Sequence, residues 1–225
     1  MAQIKRRHSR VVKIGSVSIG GNNPVAIQSM TKCKTSDYES VLEQVASLAA
    51  CGCDIVRLAV KDISDAKAIR RIKQYSSLPL VADIHFNWKF ALEAIDSGVD
   101  KIRLNPGNIY RKEQIREVVA SAKAHKIPIR VGLNSGSVRI SRRNVKSGQS
   151  AVSSSMVKGA LDYIKILEGF KFYDIVLSLK GSDVFDTISS YRKVSELCDY
   201  PLHLGTTATG GPAQGIVKSS IAIGS

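Results

Sequence analysis

Acidic residues are scarce in this chain, and so are the residues that mark small secreted or membrane proteins. Across 225 residues there are 19 Asp and Glu against 33 Lys and Arg, with four Cys, six Pro and one Trp. Four cysteines without a CxxC spacing make no disulfide framework, and a chain of this length needs none to fold. No run approaches the ~20 apolar residues of a membrane-spanning helix. The N-terminal MAQIKRRHSR leads into no apolar signal core. At 44% hydrophobic residues the chain is neither disordered nor collagen-like. One large cytoplasmic domain is the expectation.

The net charge of +14 is concentrated. Residues 1–36 carry seven basic and no acidic side chains, and residues 118–161 carry eight and none. Such segments attract nucleic acid, a membrane surface or a phosphorylated substrate. Nucleic-acid modules interleave aromatics with their cations, and residues 118–161 hold no aromatic. A small polyanion is therefore favoured over nucleic acid or membrane.

Short β-branched runs alternate with amphipathic stretches along the chain. Strands are expected at 25–30, 54–60, 78–85, 100–105, 128–134, 173–180 and 200–205, each apolar on both faces as buried parallel strands are. Helices are expected at 36–50, 64–76, 87–97, 111–126, 153–168 and 183–198, with Ser36, Ser64, Asn87 and Asp183 as caps. Gly52 and Gly98 close the first and third of these. A further helix begins near 215. This alternation predicts a TIM-type (β/α)8 barrel with seven strands present and the eighth missing. A closed barrel needs its last strand, so the chain reads as part of a longer protein. VVKIGSVSIGG (11–21) predicts a β-hairpin covering the barrel floor. The expected division is residues 1–22 for the N-terminal segment and hairpin, and 23–225 for the incomplete barrel.

Barrel chemistry collects at the C-terminal ends of strands. There the sequence places Gln28, Arg57, Asp83 with His85, Arg103 with Asn105, Arg130 with Asn134, Lys180 and His203. Asp83 and His85 share a face, as do Arg103 and Asn105, because side chains alternate along a strand. Four cations in the same register of four strands point to an anion site. Guanidinium forks fit the paired oxygens of a diphosphate, and hydrogen bonds to charged groups are worth about 1.5–3 kcal/mol each. The glycine-rich loops 105–108, 134–137 and 205–211 can add backbone amides. Lys180 is also open to a reading as a Schiff-base nucleophile, and His203 to one as a satisfied core histidine.

The strings NNPVAIQSMT, CDIVRLAV, PLVADIHF, DKIRLNPGN, PIRVGLNSGS, PLHLG and GIVKSSIAIGS closely resemble the 4-hydroxy-3-methylbut-2-enyl diphosphate synthase family, from about residue 8 to the end of the chain. The resemblance implies reductive opening of 2-C-methyl-D-erythritol 2,4-cyclodiphosphate in the non-mevalonate isoprenoid pathway. It also implies a [4Fe-4S] cluster in a C-terminal domain whose ligands are not in this chain, flavodoxin or ferredoxin as electron donor, and a homodimer. By motif, the family's substrate-binding residues fall on Arg57, Asp83, His85, Arg103, Asn105, Arg130, Asn134 and Lys180. Without the cluster, the barrel alone is expected to bind but not to reduce. Where the family reads HLGVTEAG, with a glutamate implicated in protonation, this chain reads HLGTTATG and places Ala208. The loop Ser137 to Gln149 is basic where the family is expected to carry acids. Two alternatives stand beside this reading: a phosphosugar- or pterin-type barrel enzyme using Lys180, and a basic nucleic-acid-binding module.

Overall fold

The computed structural model describes residues 7–138 and 150–225. A two-stranded antiparallel hairpin, β1 (Val12–Ile14) and β2 (Val17–Ile19), precedes a six-stranded parallel sheet. The sheet runs in chain order: β3 (Gln28–Met30), β4 (Ile55–Val60), β5 (Leu80–Ile84), β6 (Lys101–Leu104), β7 (Ile129–Asn134) and β8 (Ile175–Lys180). Between and after them lie α1 (Tyr38–Ala50), α2 (Ile63–Tyr75), α3 (Trp88–Asp96), α4 (Lys112–Ala124), α5 (Ala151–Gly169), α6 (Val184–Leu197) and α7 (Pro212–Gly224). Sequential parallel neighbours joined by helices are the half-wound form of a TIM-type barrel.

Alternation along each strand separates two interiors. Val56, Leu58 and Val60 of β4, with Ile129, Val131 and Leu133 of β7, face the helices and join one continuous core. The opposite parity holds Arg57, Asp83, Arg103, Arg130 and Lys180, so the concave side of the sheet is polar. Helix starts differ from the sequence reading in two places. Asp37, not Ser36, caps α1 by accepting from the Ser40 amide, and Asp62, not Ser64, caps α2 by accepting from the Asp65 amide. A carboxylate at either place also complements the positive end of the helix dipole. Asn87 and Asp183 cap α3 and α6 as expected. Gly52, just past the Cys51 end of α1, takes φ +81°, a conformation that glycine reaches without the Cβ penalty.

Each expected strand is trimmed by one to three residues, the first to Gln28–Met30, except 200–205, which is no strand: it meets β8 through a single bridge, Leu177 to Leu202. The hairpin forms as expected. Its Ile14 is fully buried and packs with Ile55 and Val81 on the underside of the sheet. Arg7 donates to the carbonyls of Ser195, Cys198 and Tyr200 near the end of α6. Arg10 pairs with Asp199 at 2.8 Å and lies over the Tyr200 ring at 4.6 Å. Part of the N-terminal positive charge is thus structural: cations satisfy carbonyls at the negative end of a helix. The basic side chains of the 139–149 stretch, Arg139, Arg142, Arg143 and Lys146, lie outside the described residues.

Removing most of the Ile14 side chain leaves a cavity under the sheet. Ile14→Ala is expected to cost about 2–5 kcal/mol of folding stability. Equilibrium denaturation checks this, and a loss under about 1 kcal/mol would mean that the hairpin does not seal the floor.

Candidate anion site in the concave face of the sheet

The strands bring basic side chains to one place because register aligns them. Asp83 pairs with Arg103 across β5 and β6, and Arg103 with Arg130 across β6 and β7; Asn134 pairs with Lys180 across β7 and β8. Asp83 is the carboxylate at the centre. It accepts from Arg103 Nη1 at 3.0 Å, stands 3.6 Å from Arg57 Nε and lies 3.8 Å from His85 Nε2. Burial alone would raise its pKa, but Arg103, Arg57 and Arg130 outweigh burial and hold it below the ordinary carboxylate range.

One carboxylate does not balance this many cations. Arg130 is 2% exposed, yet its Nε and Nη1 have no partner. Arg103 Nε is likewise buried and unpartnered, while its Nη2 donates to the Gly132 carbonyl at 2.8 Å. Arg57 spends Nε and Nη2 on the Met30 sulfur at 3.1 and 2.9 Å, a weak acceptor for a guanidinium. Burial, reinforced by Arg57, lowers the pKa of Arg130 to about 9. Burial, reinforced by Arg130, Arg57 and Arg103, lowers that of Lys180 to about 7. Buried cations with orphaned donors cost free energy unless a ligand answers them.

Two glycines make room for this packing. A Cβ at Gly132 would lie 2.6 Å from Arg103 Nε, and one at Gly205 would lie 2.8 Å from Lys180 Nζ. Either would displace the charged group. The amide side chains shape the loops: Asn105 Oδ1 accepts from the Gly107 amide at 3.1 Å, and Asn134 Oδ1 accepts from the Ser137 hydroxyl at 2.9 Å. Asn108 Nδ2 donates to the His85 carbonyl at 2.6 Å, tying the loop after β6 to the end of β5. His85 Nε2 is buried without a hydrogen-bond partner.

All eight residues singled out from the sequence thus lie on the concave face or in the loops at its C-terminal rim. The strand-end reading missed Lys101. This lysine is 1% exposed, and Nζ donates to Gln28 Oε1 at 3.2 Å. Burial, then Arg130 and Arg57, push its pKa well below the usual lysine value. The signal was present, since Lys101 shares parity with Arg103 and Asn105, but it stands at the start of its strand. His203 also faces this cluster, and burial with Arg130, Lys180 and Lys101 drives its pKa well below the usual value. A neutral imidazole is the result. Ala208 is exposed and adopts φ +51°.

The cysteines do not fit an iron-sulfur cluster. Cys53 Sγ points at the Ile55 and Ile27 carbonyls and Cys198 Sγ at that of Val194. Among the described residues no three His, Cys, Asp or Glu side chains converge on a metal. No helix among them is long and apolar enough to cross a membrane.

A curled parallel sheet with its buried, incompletely partnered cations gathered on the inner face defines a TIM-type barrel domain. The chain belongs to the GcpE TIM-barrel domain family, whose model matches residues 9–225. It is 49% identical over 219 residues to the 4-hydroxy-3-methylbut-2-en-1-yl diphosphate synthase (flavodoxin) of Lawsonia intracellularis, covering 97% of this chain and 60% of that protein. The synthase of the same name from Thermodesulfovibrio yellowstonii is 48% identical, with 98% and 63% covered. The chain therefore spans about 60% of the length of these relatives.

Among solved structures, a truncated 3-deoxy-D-arabino-heptulosonate 7-phosphate synthase from Thermotoga maritima superposes with TM-score 0.65 at 16% identity, covering 96% of this chain and 77% of that one. Yersinia pestis dihydropteroate synthase gives 0.64 at 10% identity, covering 96% and 86%. These two share the fold. The family match supports the synthase reading and not the aldolase, pterin-type or nucleic-acid alternatives.

The depressed lysine gives a signed expectation. Lys180 titrates near 7 when folded and near ~10.4 when unfolded, so the unfolded state binds more protons between those values. Stability then rises with pH from about 7 to about 9. In thermal melts across that window, Lys180→Met is expected to show a smaller rise than the parent. Identical pH slopes in the two proteins would contradict a buried, depressed Lys180.

Proposed function

We propose that this chain is the substrate-binding barrel of a 4-hydroxy-3-methylbut-2-enyl diphosphate synthase, gripping 2-C-methyl-D-erythritol 2,4-cyclodiphosphate through Arg57, Arg103, Arg130 and Lys180. The observation that carries this is Arg130, buried with two unpartnered guanidinium nitrogens beside a second orphaned guanidinium. Asp83 orients Arg103 and Arg57 rather than cancelling the whole cluster, and His85, Asn105 and Asn134 supply polar contacts at the rim.

The charge also fits the reaction. Each phosphorus of the cyclic substrate carries one ester bond and one anhydride bond and so one negative charge, whereas the open product keeps a diphosphate joined at one end only. Ring opening therefore puts additional negative charge on the released phosphate oxygen. Fixed cations that meet growing charge favour the transition state over the ground state. The full-length enzyme is proposed to be a cytoplasmic, homodimeric, flavodoxin- or ferredoxin-dependent oxidoreductase with a [4Fe-4S] cluster. No part of the reductive step is assigned to the cysteines of this chain. Because the family resemblance places the iron-sulfur cluster ligands outside this chain, this domain by itself is expected to bind without turning over.

Calorimetric titration with the cyclic diphosphate tests the assignment. Saturable binding is expected, and Arg103→Ala or Arg130→Ala should weaken it about 10- to 100-fold, the equivalent of one charged hydrogen bond or more. Binding that is absent at millimolar ligand, or unchanged in both variants, would overturn the reading.

A further inference from the structure

The parallel ladder between β8 and the chain that follows α6 stops abruptly, and a side chain stops it. Leu177 N–H donates to the Pro201 carbonyl at 3.0 Å, and His203 N–H to the Leu177 carbonyl at 2.7 Å. Continued parallel pairing would send Leu179 N–H to the His203 carbonyl. The Tyr191 hydroxyl stands there instead. It accepts from Leu179 N–H at 3.2 Å and donates to the His203 carbonyl at 2.6 Å. Tyr191 comes from α6, is 6% exposed, and its hydroxyl also meets the side chain of Ser178. Burial raises its pKa to about 12, so it keeps the proton that it donates.

This insertion is why residues 200–205, strand-like in sequence, form only a bridge. Beyond the insertion, where Lys180 ends β8, the lysine stem passes Gly205 so closely that an added Cβ would lie 2.9 Å from Cε and 2.8 Å from Nζ. We propose that Tyr191 is a positioning residue: its hydroxyl holds the His203–Gly205 segment away from β8, and the gap so kept lays Lys180 into the cationic cluster. The ligand-binding part of this proposal rests on the anion-site reading above; the placement of Lys180 does not.

Lys180 reports its own position, because its environment is set by Arg130 of β7, Arg57 of β4, Arg103 of β6, Asp83 of β5 and His203 of the held segment. Tyr191→Phe keeps the ring and removes the hydroxyl. Leu179 N–H and the His203 carbonyl can then pair directly, closing the gap. The rate at which an amine-reactive reagent labels Lys180 in the ligand-free protein, followed by peptide mass against pH, should change at least about threefold, with a displaced midpoint. Gly205→Ala, which crowds the lysine without touching Tyr191, should also displace the midpoint. An unchanged profile in Tyr191→Phe overturns the proposal, and if that variant does not fold, an unchanged profile in Gly205→Ala does so.

The second arm uses inorganic pyrophosphate. Tyr191→Phe is expected to weaken its binding several-fold, yet to add nothing in a Lys180→Met background, since coupled residues fail to add. Equal penalties in both backgrounds would place the effect of Tyr191 elsewhere and contradict the proposal. Failure of pyrophosphate to bind even the parent protein would count against the anion site alone, because the labelling profile decides the role of Tyr191 without any ligand.

Discussion

Among the described residues Asp83 is the one carboxylate inside a curved sheet whose strands present Arg57, Lys101, Arg103, Arg130 and Lys180, and the design of the domain depends on that imbalance. The carboxylate fixes two guanidinium groups by direct pairing at 3.0 and 3.6 Å. It leaves Arg130 buried with open donors. Burial first, and then repulsion from the neighbouring guanidinium groups in a low-dielectric interior, make the lysines of the cluster resist protonation. A dianion entering the concave face relieves both problems together, supplying acceptors to orphaned donors and charge to an uncompensated field.

The rest of the fold holds the cations in place despite their repulsion. Apolar residues of opposite strand parity lock the sheet onto the helices, and the hairpin closes the underside with Ile14 against Ile55 and Val81. Gly132 and Gly205 leave the volume that Arg103 and Lys180 occupy. Tyr191 interrupts one backbone ladder so that the last of these side chains has a slot to lie in. Under the proposed function, binding energy from the cyclic diphosphate is then available for the chemistry instead of being used to gather the cations.

Much of this was legible in the residues. Alternating β and α patterns gave the strand order, and the parity of Asp83 with His85, of Arg103 with Asn105 and of Arg130 with Asn134 put the site on one face. Three features escaped. Lys101 sits at the beginning of β6, where a strand-end rule does not look, although its parity with Arg103 was visible. PLHLG has the composition of a strand, and only the tertiary approach of Tyr191 from α6 denies it one. Caps at Asp37 and Asp62 were displaced by one or two residues onto serines because both residue types cap well. The N-terminal basic run proved divided in purpose, with Arg7 and Arg10 anchoring the chain to the end of α6 and its neighbours.

Proton bookkeeping on binding tests the central claim most directly. The cyclic diphosphate carries a fixed charge near neutral pH, since each of its phosphates has one ester and one anhydride bond and a single strongly acidic oxygen, so any proton exchanged comes from the protein. Calorimetry near pH 8 in two buffers of different ionisation enthalpy measures that exchange. Net proton uptake is expected, as a dianion draws protons onto lysines that the cluster keeps neutral. Binding with no uptake, or with proton release, would contradict an interior whose positive charge waits for its anion.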